Sequence, residues 1–410
     1  MKFSTILKKP VAILFLVLLV CSVVLGALAF RATTHGSAVM PTATPTAAGA
    51  ANPTPTKKTA RAGLPSVQNP SQVLGVEGSP DTAYPGIPWV RLGYPTCGWS
   101  KLQGKALKAA IQTYHKEGIR VLLTVCQRAN DARLLDTKPL NDAAQGLADA
   151  VQCGNEEMKQ DPAVAFLYIP PDRFARFYDL CERAMHSVRP EIPVLLGSLD
   201  PHVGGVDYQP LVQQAQYLDQ MQSAMNSTVH PGGKWNWHAQ TLGLIDSWHN
   251  GWNAAGYPDP NVNSLGGLFT FWAQQFGVDL NNGQLGQHLW VVEGTGCFKG
   301  CGIDTTSASQ VAESHLVTLI TDVQTATKYK VPLFYFSGRD FNDQGLYWPI
   351  GVLDGQGSPK PLRQDLPMGS RAFMMSCADG KITVVDQLQL LARLYGHCAL
   401  PGNYLTTITG

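Results

Sequence analysis

The residues of this chain best suited to chemistry are two glutamates, each of which closes an apolar run. The segment VQCGNEE at 151–157 sets the Asn155 amide beside the Glu156 carboxyl, and LWVVEGTG at 289–296 carries Glu293. Cleavage of a glycosidic bond needs two carboxyl groups that face each other across the sugar. We therefore expect Glu156 and Glu293 to share one site if the fold brings the two runs together.

An alternating pattern of strands and helices predicts the α/β fold that would do so, a (β/α)8 TIM barrel. Eight strands are predicted, at 72–78, 88–94, 119–126, the segment that ends in Asn155-Glu156, 192–198, 242–248, 288–293 and 331–337. Helical spacing of apolar residues lies between several of them, at 101–116, 139–151, 171–188, 264–276 and about 307–328. Groups at the carboxyl ends of barrel strands converge on one face, so both glutamates are expected there.

These segments resemble those of the clan A glycoside hydrolases, the (β/α)8 retaining enzymes that include cellulase-like, β-xylosidase-like and α-iduronidase-like families. The resemblance runs from about residue 72 to Leu362 and rests on WVR at 89–91, GIRVL at 118–122, GNE at 154–156, VEGTG at 292–296 and GLYWPIGVLDG at 345–355. Three features differ from the family pattern. Cys153 stands where an aromatic or aliphatic residue is common. Glu157 stands where a proline is usual, and the eighth strand ends in YFSGRD without the tryptophan that many relatives place beneath the sugar.

By this resemblance the chain would be a retaining glycoside hydrolase that cleaves β-glycosidic bonds of a polysaccharide or oligosaccharide by double displacement. Glu156 would be the general acid/base and Glu293 the nucleophile. Asn155 would hydrogen-bond the sugar 2-hydroxyl, a contact that strengthens in the transition state. Arg91 would hold Glu293 ionised through a charge-assisted hydrogen bond. No cofactor is predicted.

Three further residues are candidates for substrate binding. His249, in SWHNGW at 247–252, resembles the sixth-strand histidine of the clan, although a histidine satisfied in the barrel rim fits the same pattern. Trp252 and Tyr335 offer flat apolar faces for a sugar ring, as do Trp99 and Trp348. For each aromatic side chain the alternative is a place in the core.

Two other classes of function remain open. One is a catalytically inactive, carbohydrate-binding barrel at the cell surface, and the other is a surface scaffold whose barrel has no role with sugars; the fold alone does not choose among them. A nucleic-acid partner is not expected. Residues 1–61 hold seven basic and no acidic groups, which leaves 24 basic against 30 acidic groups in the rest of the chain.

The first 66 residues predict an exported protein. Lysines precede 11–30, twenty uncharged residues that suit a signal peptide or, if they are not cleaved, a transmembrane anchor. The Thr/Ala/Pro-rich segment 31–66 predicts a disordered linker. A barrel domain at 67–370 and a short extension at 371–410 would follow. We expect a monomer that is secreted or held at the cell surface.

Nine cysteines fit an oxidising compartment. The expected disulfide pairs are Cys97 with Cys126, Cys297 with Cys301, Cys377 with Cys398 and, by elimination, Cys153 with Cys181. The pair at 377 and 398 would tie down the C-terminal extension. No metal site is predicted, because the spacing of cysteine and histidine is not that of a zinc site.

Overall fold

The computed structural model describes the barrel and its surrounding helices. The described residues are 73–78, 84, 87–127, 137–159, 168–200, 211–246, 264–294, 322–342 and 350–359, with the backbone alone of 202–203, 207–208, 343, 346–348, 373–376 and 382–385.

Eight parallel strands close into a barrel in chain order, each paired with the next and the last paired with the first. They are β1 Leu74–Glu77, β2 Trp89–Gly93, β3 Arg120–Val125, β4 Ala150–Cys153, β5 Val194–Leu199, β6 Thr241–Ile245, β7 Leu289–Gly294 and β8 Leu333–Tyr335. The predicted TIM barrel and its eight strands are confirmed, with strand bounds that differ by a few residues.

Side chains along each strand alternate between the barrel interior and the layer beneath the helices. The interior set forms one apolar cluster of Trp89, Leu122, Ala150, Leu195, Ile245, Val292 and Phe334. The alternate set, with Val90, Val121 and Val151 among its members, packs with helix residues such as Leu107 and Phe174. Because both faces of the sheet are covered, the strands are apolar on both sides.

Aromatic rings fill part of the barrel interior. The ring of Trp89 lies 5.4 Å from that of Trp290 and 6.2 Å from that of Phe334, measured between centroids. Arg91 follows Trp89 by two residues on β2, so its side chain also enters the interior, nearer the carboxyl end. The polar groups near the carboxyl ends of the strands therefore lie next to an apolar layer in the barrel interior.

The helices that cover the strands are α1 Gly104–Lys116, α2 Thr137–Ala144, α3 Pro171–Val188, α4 Leu211–Ala224, α5 Leu265–Phe276 and α6 at 322–329. The helices predicted at 101–116, 171–188 and 264–276 are confirmed.

The helix predicted at 139–151 was wrong at its end. It stops at Ala144, and Ala150 and Val151 belong to β4. The backbone of Leu147 takes a φ of 61°, in the left-handed region that a helix excludes, so the chain turns there. The apolar residues that extended the helical pattern serve a buried strand instead.

Several predicted segments fall outside the described residues: 11–30, the linker at 31–66, most of the helix at 307–328 and the cysteines at 297, 301, 377 and 398. No described helix combines the length and apolar character that a membrane crossing requires. In the C-terminal extension, Phe373–Ser376 pairs antiparallel with Ile382–Val385.

Candidate active site

The carboxyl end of the barrel is organised around the Arg91 side chain, which is 1% exposed. Its Nη1 donates hydrogen bonds to Glu77 Oε2 at 2.7 Å and to Glu293 Oε1 at 2.5 Å. Its Nη2 donates to Asn155 Oδ1 at 2.6 Å. One guanidinium thus joins residues from β1, β2, β7 and the turn after β4.

The third nitrogen of the guanidinium is held by the barrel wall. Arg91 Nε donates to Thr124 Oγ1 at 2.9 Å and to Gln152 Oε1 at 3.1 Å. Gln152 Nε2 in turn donates to Asn155 Oδ1 at 3.1 Å. Every nitrogen of the Arg91 side chain therefore has an acceptor, as a buried cation requires.

A strained turn after β4 presents Asn155 and Glu156. Gly154 has a φ of 107° and its Cα packs against the Phe174 ring, where a side chain would clash. Glu156 itself has a φ of 48°, which costs a non-glycine residue on the order of 1 kcal/mol and persists only where the surroundings enforce it. Its backbone N–H donates to Ser198 O at 3.1 Å, which fixes the turn against the end of β5.

A side-chain amide also clamps the backbone of this turn. Gln127 Nε2 donates to Asn155 O at 2.8 Å, and Asn155 N–H donates to Gln127 Oε1 at 2.9 Å. Asn155 Nδ2 points to Glu156 Oε2 at 3.5 Å, the outer limit of a hydrogen bond. The Asn155 amide therefore links the Arg91 cluster to the second glutamate.

The Glu156 carboxyl has a cation of its own. Lys159 Nζ donates to Glu156 Oε1 at 2.6 Å and lies 3.2 Å from Asp200 Oδ2. The three side chains are almost fully buried. Glu293 and Glu156 are thus each paired with a different cation, Arg91 and Lys159.

Burial controls the protonation of both glutamates. It raises the pKa of Glu156 to about 7, against the opposing charge of Lys159. It raises the pKa of Glu293 to about 8, against the opposing charge of Arg91, while Glu77 and Glu156 add to the rise. Both carboxyl groups can therefore exchange protons near neutral pH, as acid/base chemistry requires. The expectation that Arg91 holds Glu293 ionised was wrong at neutral pH, because burial outweighs the charge of the guanidinium.

Glu157 lies apart from this cluster, although it adjoins Glu156 in the chain. Its Oε2 accepts a hydrogen bond from Ser198 N–H at 3.1 Å, and its carboxyl packs against Gly197. The side chain is fully buried, and burial raises its pKa to about 7. Only one of the two adjacent glutamates faces Arg91 and Asn155.

Two disulfides attach the site segments to the barrel, and both were predicted. Cys97, beyond β2, is bonded to Cys126 at the end of β3. Cys153, the last residue of β4, is bonded to Cys181 of α3. The first ties down the segment that leads to Trp99, and the second ties down the strand that precedes Asn155 and Glu156.

Of the aromatic candidates, Trp99 lies at the site and Tyr335 does not. The Trp99 side chain is 46% exposed, and its ring centroid is 5.9 Å from the Arg91 guanidinium carbon. It lies on Gly93 of β2, where any Cβ would overlap the indole. Tyr335 is fully buried in the layer outside the strands, and its hydroxyl donates to Ile350 O at 2.5 Å.

The predicted substrate contact of Tyr335 was wrong, because a ring without exposed surface offers no face to a sugar. Phe336, one residue on, is partly exposed and shares the parity of Phe334 in the barrel interior. His249 and Trp252 lie outside the described residues, so their predicted roles stay predictions.

Sequence reasoning missed the groups that hold the glutamates in place. These are Thr124, Gln127, Gln152, Ser198, Lys159 and Asp200. One signal was available, because Thr124, Gln152 and Ser198 are polar residues near the ends of otherwise apolar strands. The position of Asp200, directly after β5, gave the same signal.

Comparison with known proteins gives similarity in structure only. No protein-family model matches the sequence, and no curated protein matches it. Among solved structures, a glucosidase from Croceicoccus marinus shares 13% identity and a TM-score of 0.44, over 78% of this chain and 71% of that one. A GH5_18 protein from Streptomyces cattleya, in complex with Manβ1-4GlcNAc, shares 14% identity and a TM-score of 0.43, over 73% and 80%.

An exo-β-1,4-mannosidase from an Opitutaceae bacterium shares 12% identity and a TM-score of 0.42, over 75% of this chain and 61% of that one. Two of these three proteins are glycosidases by name, the glucosidase and the mannosidase. The identities are too low to carry a site or a substrate from them to this chain.

Proposed function

We propose that this chain is a retaining glycoside hydrolase that cleaves β-glycosidic bonds in a polysaccharide or oligosaccharide. The proposal depends on one observation, the continuous contact from Glu293 through Arg91 and Asn155 to Glu156 at the carboxyl ends of the strands. Neither glutamate is a solvated surface group, because Glu156 and Glu293 are 9% and 6% exposed. Burial of four ionisable or amide groups costs folding free energy, and clusters of this kind with perturbed pKa values are concentrated at functional sites.

In this mechanism Glu293 attacks the anomeric carbon and forms a covalent bond to it, while Glu156 gives a proton to the leaving oxygen. A water molecule then attacks the same carbon and displaces Glu293, and Glu156 takes the proton that this water loses. The contact with Arg91 supports the first role, because the guanidinium fixes one oxygen of Glu293 and leaves the other to the sugar. The raised pKa of Glu156, about 7, supports the second, because an acid needs its proton at working pH. A retaining mechanism calls for about 5–5.5 Å between the two carboxyl groups.

Asn155 has a defined place in this mechanism. Its Oδ1 accepts hydrogen bonds from Arg91, Gln152 and Ser198. Its Nδ2 is thereby oriented as a donor beside Glu156, where a sugar 2-hydroxyl would lie. The amide would stabilise the transition state through that contact.

A carbohydrate substrate is supported by the exposed indole of Trp99 beside buried charges. Sugar rings bury their C–H faces on aromatic planes and direct their hydroxyl groups to polar side chains. The exposed ring of Trp99 lies beside the Arg91 guanidinium, which in turn holds Glu293 and Asn155. We also propose export of the protein to the cell surface or beyond, with the segment at 11–30 as signal or anchor. The disulfides of the barrel support an oxidising compartment.

The test is turnover of a panel of aryl β-glycosides by the full chain and by its Glu293→Gln and Glu156→Gln variants. Both isosteric changes should abolish turnover, while Glu117→Gln, at an exposed carboxyl beyond α1, should leave it intact. The anomeric form of the first product, followed by NMR, should match that of the substrate. An inverted product would overturn the retaining mechanism.

Because an enzyme that cuts within chains can ignore aryl glycosides, the same proteins are also tested for binding and cleavage of polysaccharides. Binding without cleavage would replace the proposal with a carbohydrate-binding barrel that lacks activity. If the protein neither binds nor cleaves any β-linked polysaccharide, the remaining interpretation is a surface scaffold whose barrel has no role with sugars.

A further inference from the structure

Lys159 is an unusual neighbour for a residue that must deliver a proton. It lies three residues after Glu156, its side chain is 8% exposed, and its ammonium group contacts Glu156 at 2.6 Å and Asp200 at 3.2 Å. Asp200 follows β5 and its side chain is 1% exposed. An isolated buried ammonium is costly, so the two carboxyl groups explain why Lys159 can be buried there.

We propose that Lys159, anchored by Asp200, is a positioning residue for Glu156 that fixes its carboxyl by a buried ion pair and governs its release and recapture of a proton. This inference rests on the proposed function and deepens it. Asp200 holds Lys159 on one side, so the ammonium cannot follow Glu156 without loss of a second ion pair. The Glu156 carboxyl is thereby held on the turn after β4, with Oε1 bound and Oε2 beside Asn155.

The two partners act on Glu156 in opposite directions. The positive charge of Lys159 stabilises the ionised carboxylate and so favours transfer of the Glu156 proton to the leaving oxygen in the first step. The negative charge of Asp200 disfavours ionisation and so helps Glu156 to keep its proton for the leaving oxygen. An acid/base residue needs both tendencies in balance, since it must donate and accept in one cycle.

Other charged groups around Glu156 do not replace this pair. Glu293 lies on β7 and Glu157 is adjacent in the chain; both are carboxyl groups, and the charge of Glu156 raises the pKa of each. Arg91 reaches it only through the Asn155 amide. Among the described residues, Lys159 is the cation that directly contacts the Glu156 carboxyl.

The experiment compares the dependence of kcat/KM on pH in the wild-type chain and in Lys159→Met, Lys159→Arg and Asp200→Asn. Because Glu156 has the lower pKa of the two carboxyl groups, its titration sets the acidic limb. Loss of the cation should move the acidic limb upward by up to about one pH unit, and Asp200→Asn should move it downward. Lys159→Arg keeps the charge and should leave the limb near its wild-type position. The control is Lys108→Met on the exposed face of α1.

Opposite displacements of the limb are the expected result, because a merely structural pair would lower kcat or stability in both variants without moving the limb in two directions. Limbs that stay within about 0.3 pH units of wild type in both variants would overturn the inference. Asp200→Asn is isosteric and provides the test if Lys159→Met does not fold. Infrared difference spectra against Glu156→Gln follow the same carboxyl without turnover.

The experiments distinguish failure of the proposed role of Lys159 from failure of the proposed glycosidase function. If Glu293→Gln and Glu156→Gln are inactive while the limb stays fixed, the glycosidase proposal stands and the role of Lys159 fails. If Glu293→Gln turns over as fast as wild type, the glycosidase proposal fails, and infrared titration of Glu156 alone then decides the ion pair.

Discussion

Arg91 Nη1 lies 2.5 Å from Glu293 Oε1, with the two side chains only 1% and 7% exposed. The same nitrogen also serves Glu77 at 2.7 Å. One cation therefore compensates a buried carboxyl group, that of Glu293, and a partly buried one, that of Glu77, which leaves a surplus negative charge when both are ionised. Together with burial, the negative charge of Glu77 raises the pKa of Glu293, so the protonation of the site depends on its geometry.

Arg91→Lys should reduce kcat by about 10²-fold, since an ammonium group is a single point and cannot span Glu293, Asn155 and the wall of the barrel together. The measurement is kcat on the best aryl β-glycoside, with urea unfolding alongside to check folding. Arg120→Lys, at an exposed arginine that begins β3, is the matched control and should change kcat less than twofold. Near-normal turnover in Arg91→Lys would show that the guanidinium does not position the site.

A narrow bell-shaped dependence of kcat/KM on pH is expected, with its maximum between about 7 and about 8. Activity needs Glu293 ionised and Glu156 protonated, whereas burial raises the pKa of the first to about 8 and that of the second to about 7. The pKa values are therefore in the reverse of the usual order, and a minority of the molecules carry the active combination at the maximum. Glu77→Gln removes a negative neighbour and lowers the pKa of Glu293. Because the basic limb follows the higher of the two pKa values, that limb should move to lower pH, and kcat/KM at the maximum should rise. A broad optimum below pH 5 would contradict this account.

The sequence predicted the eight strands and the two glutamates because apolar runs and their ends are local features. It did not show which residues of β8 face inward. Both faces of that strand are apolar, so VPLFYFS does not distinguish Tyr335 from Phe336, and a change of parity exchanges the two.

The supporting ion pairs were hidden from the sequence for a different reason. Lys159 and Asp200 meet only because β4 and β5 are adjacent in the barrel, and the sequence pattern does not measure the length of the turn that follows each strand. The same holds for Arg91, whose partners come from β1, β3, β4 and β7. The resemblance to a family predicted one of its contacts, with Glu293, and the fold supplied the others.

Glu157→Gln should make the protein more stable at pH 8 and less sensitive to pH. Burial raises the pKa of Glu157 from its usual 4.5 to about 7, so the native state holds this proton more tightly than the unfolded chain does. The free energy of unfolding therefore falls as pH rises from about 4.5 to about 7, by up to about 3 kcal/mol. Urea unfolding of both proteins at pH 5 and pH 8 measures the difference. If Glu157→Gln loses stability with pH as steeply as wild type, another group is responsible.

Trp99→Ala should raise KM for oligosaccharides and polysaccharides by about tenfold, because loss of one aromatic contact with a sugar removes on the order of 1 kcal/mol or more of binding free energy. The chemical step on a small aryl glycoside should be nearly unaffected. Trp99→Phe keeps a flat ring and should restore most of the affinity. Equal losses on both kinds of substrate would place Trp99 in support of Arg91 rather than beneath a sugar.

Removal of the two disulfides should have different effects on kinetics and similar effects on stability. Each closes a loop of nearly thirty residues, so paired substitution by serine should lower the free energy of unfolding by about 3–4 kcal/mol in either case. Loss of the Cys97–Cys126 bond frees the segment that bears Trp99 and should act mainly on KM. Loss of the Cys153–Cys181 bond frees the strand end before Asn155 and Glu156 and should act mainly on kcat. Each pair is the control for the other, and identical kinetic profiles would mean that the bonds stabilise the barrel without holding separate parts of the site.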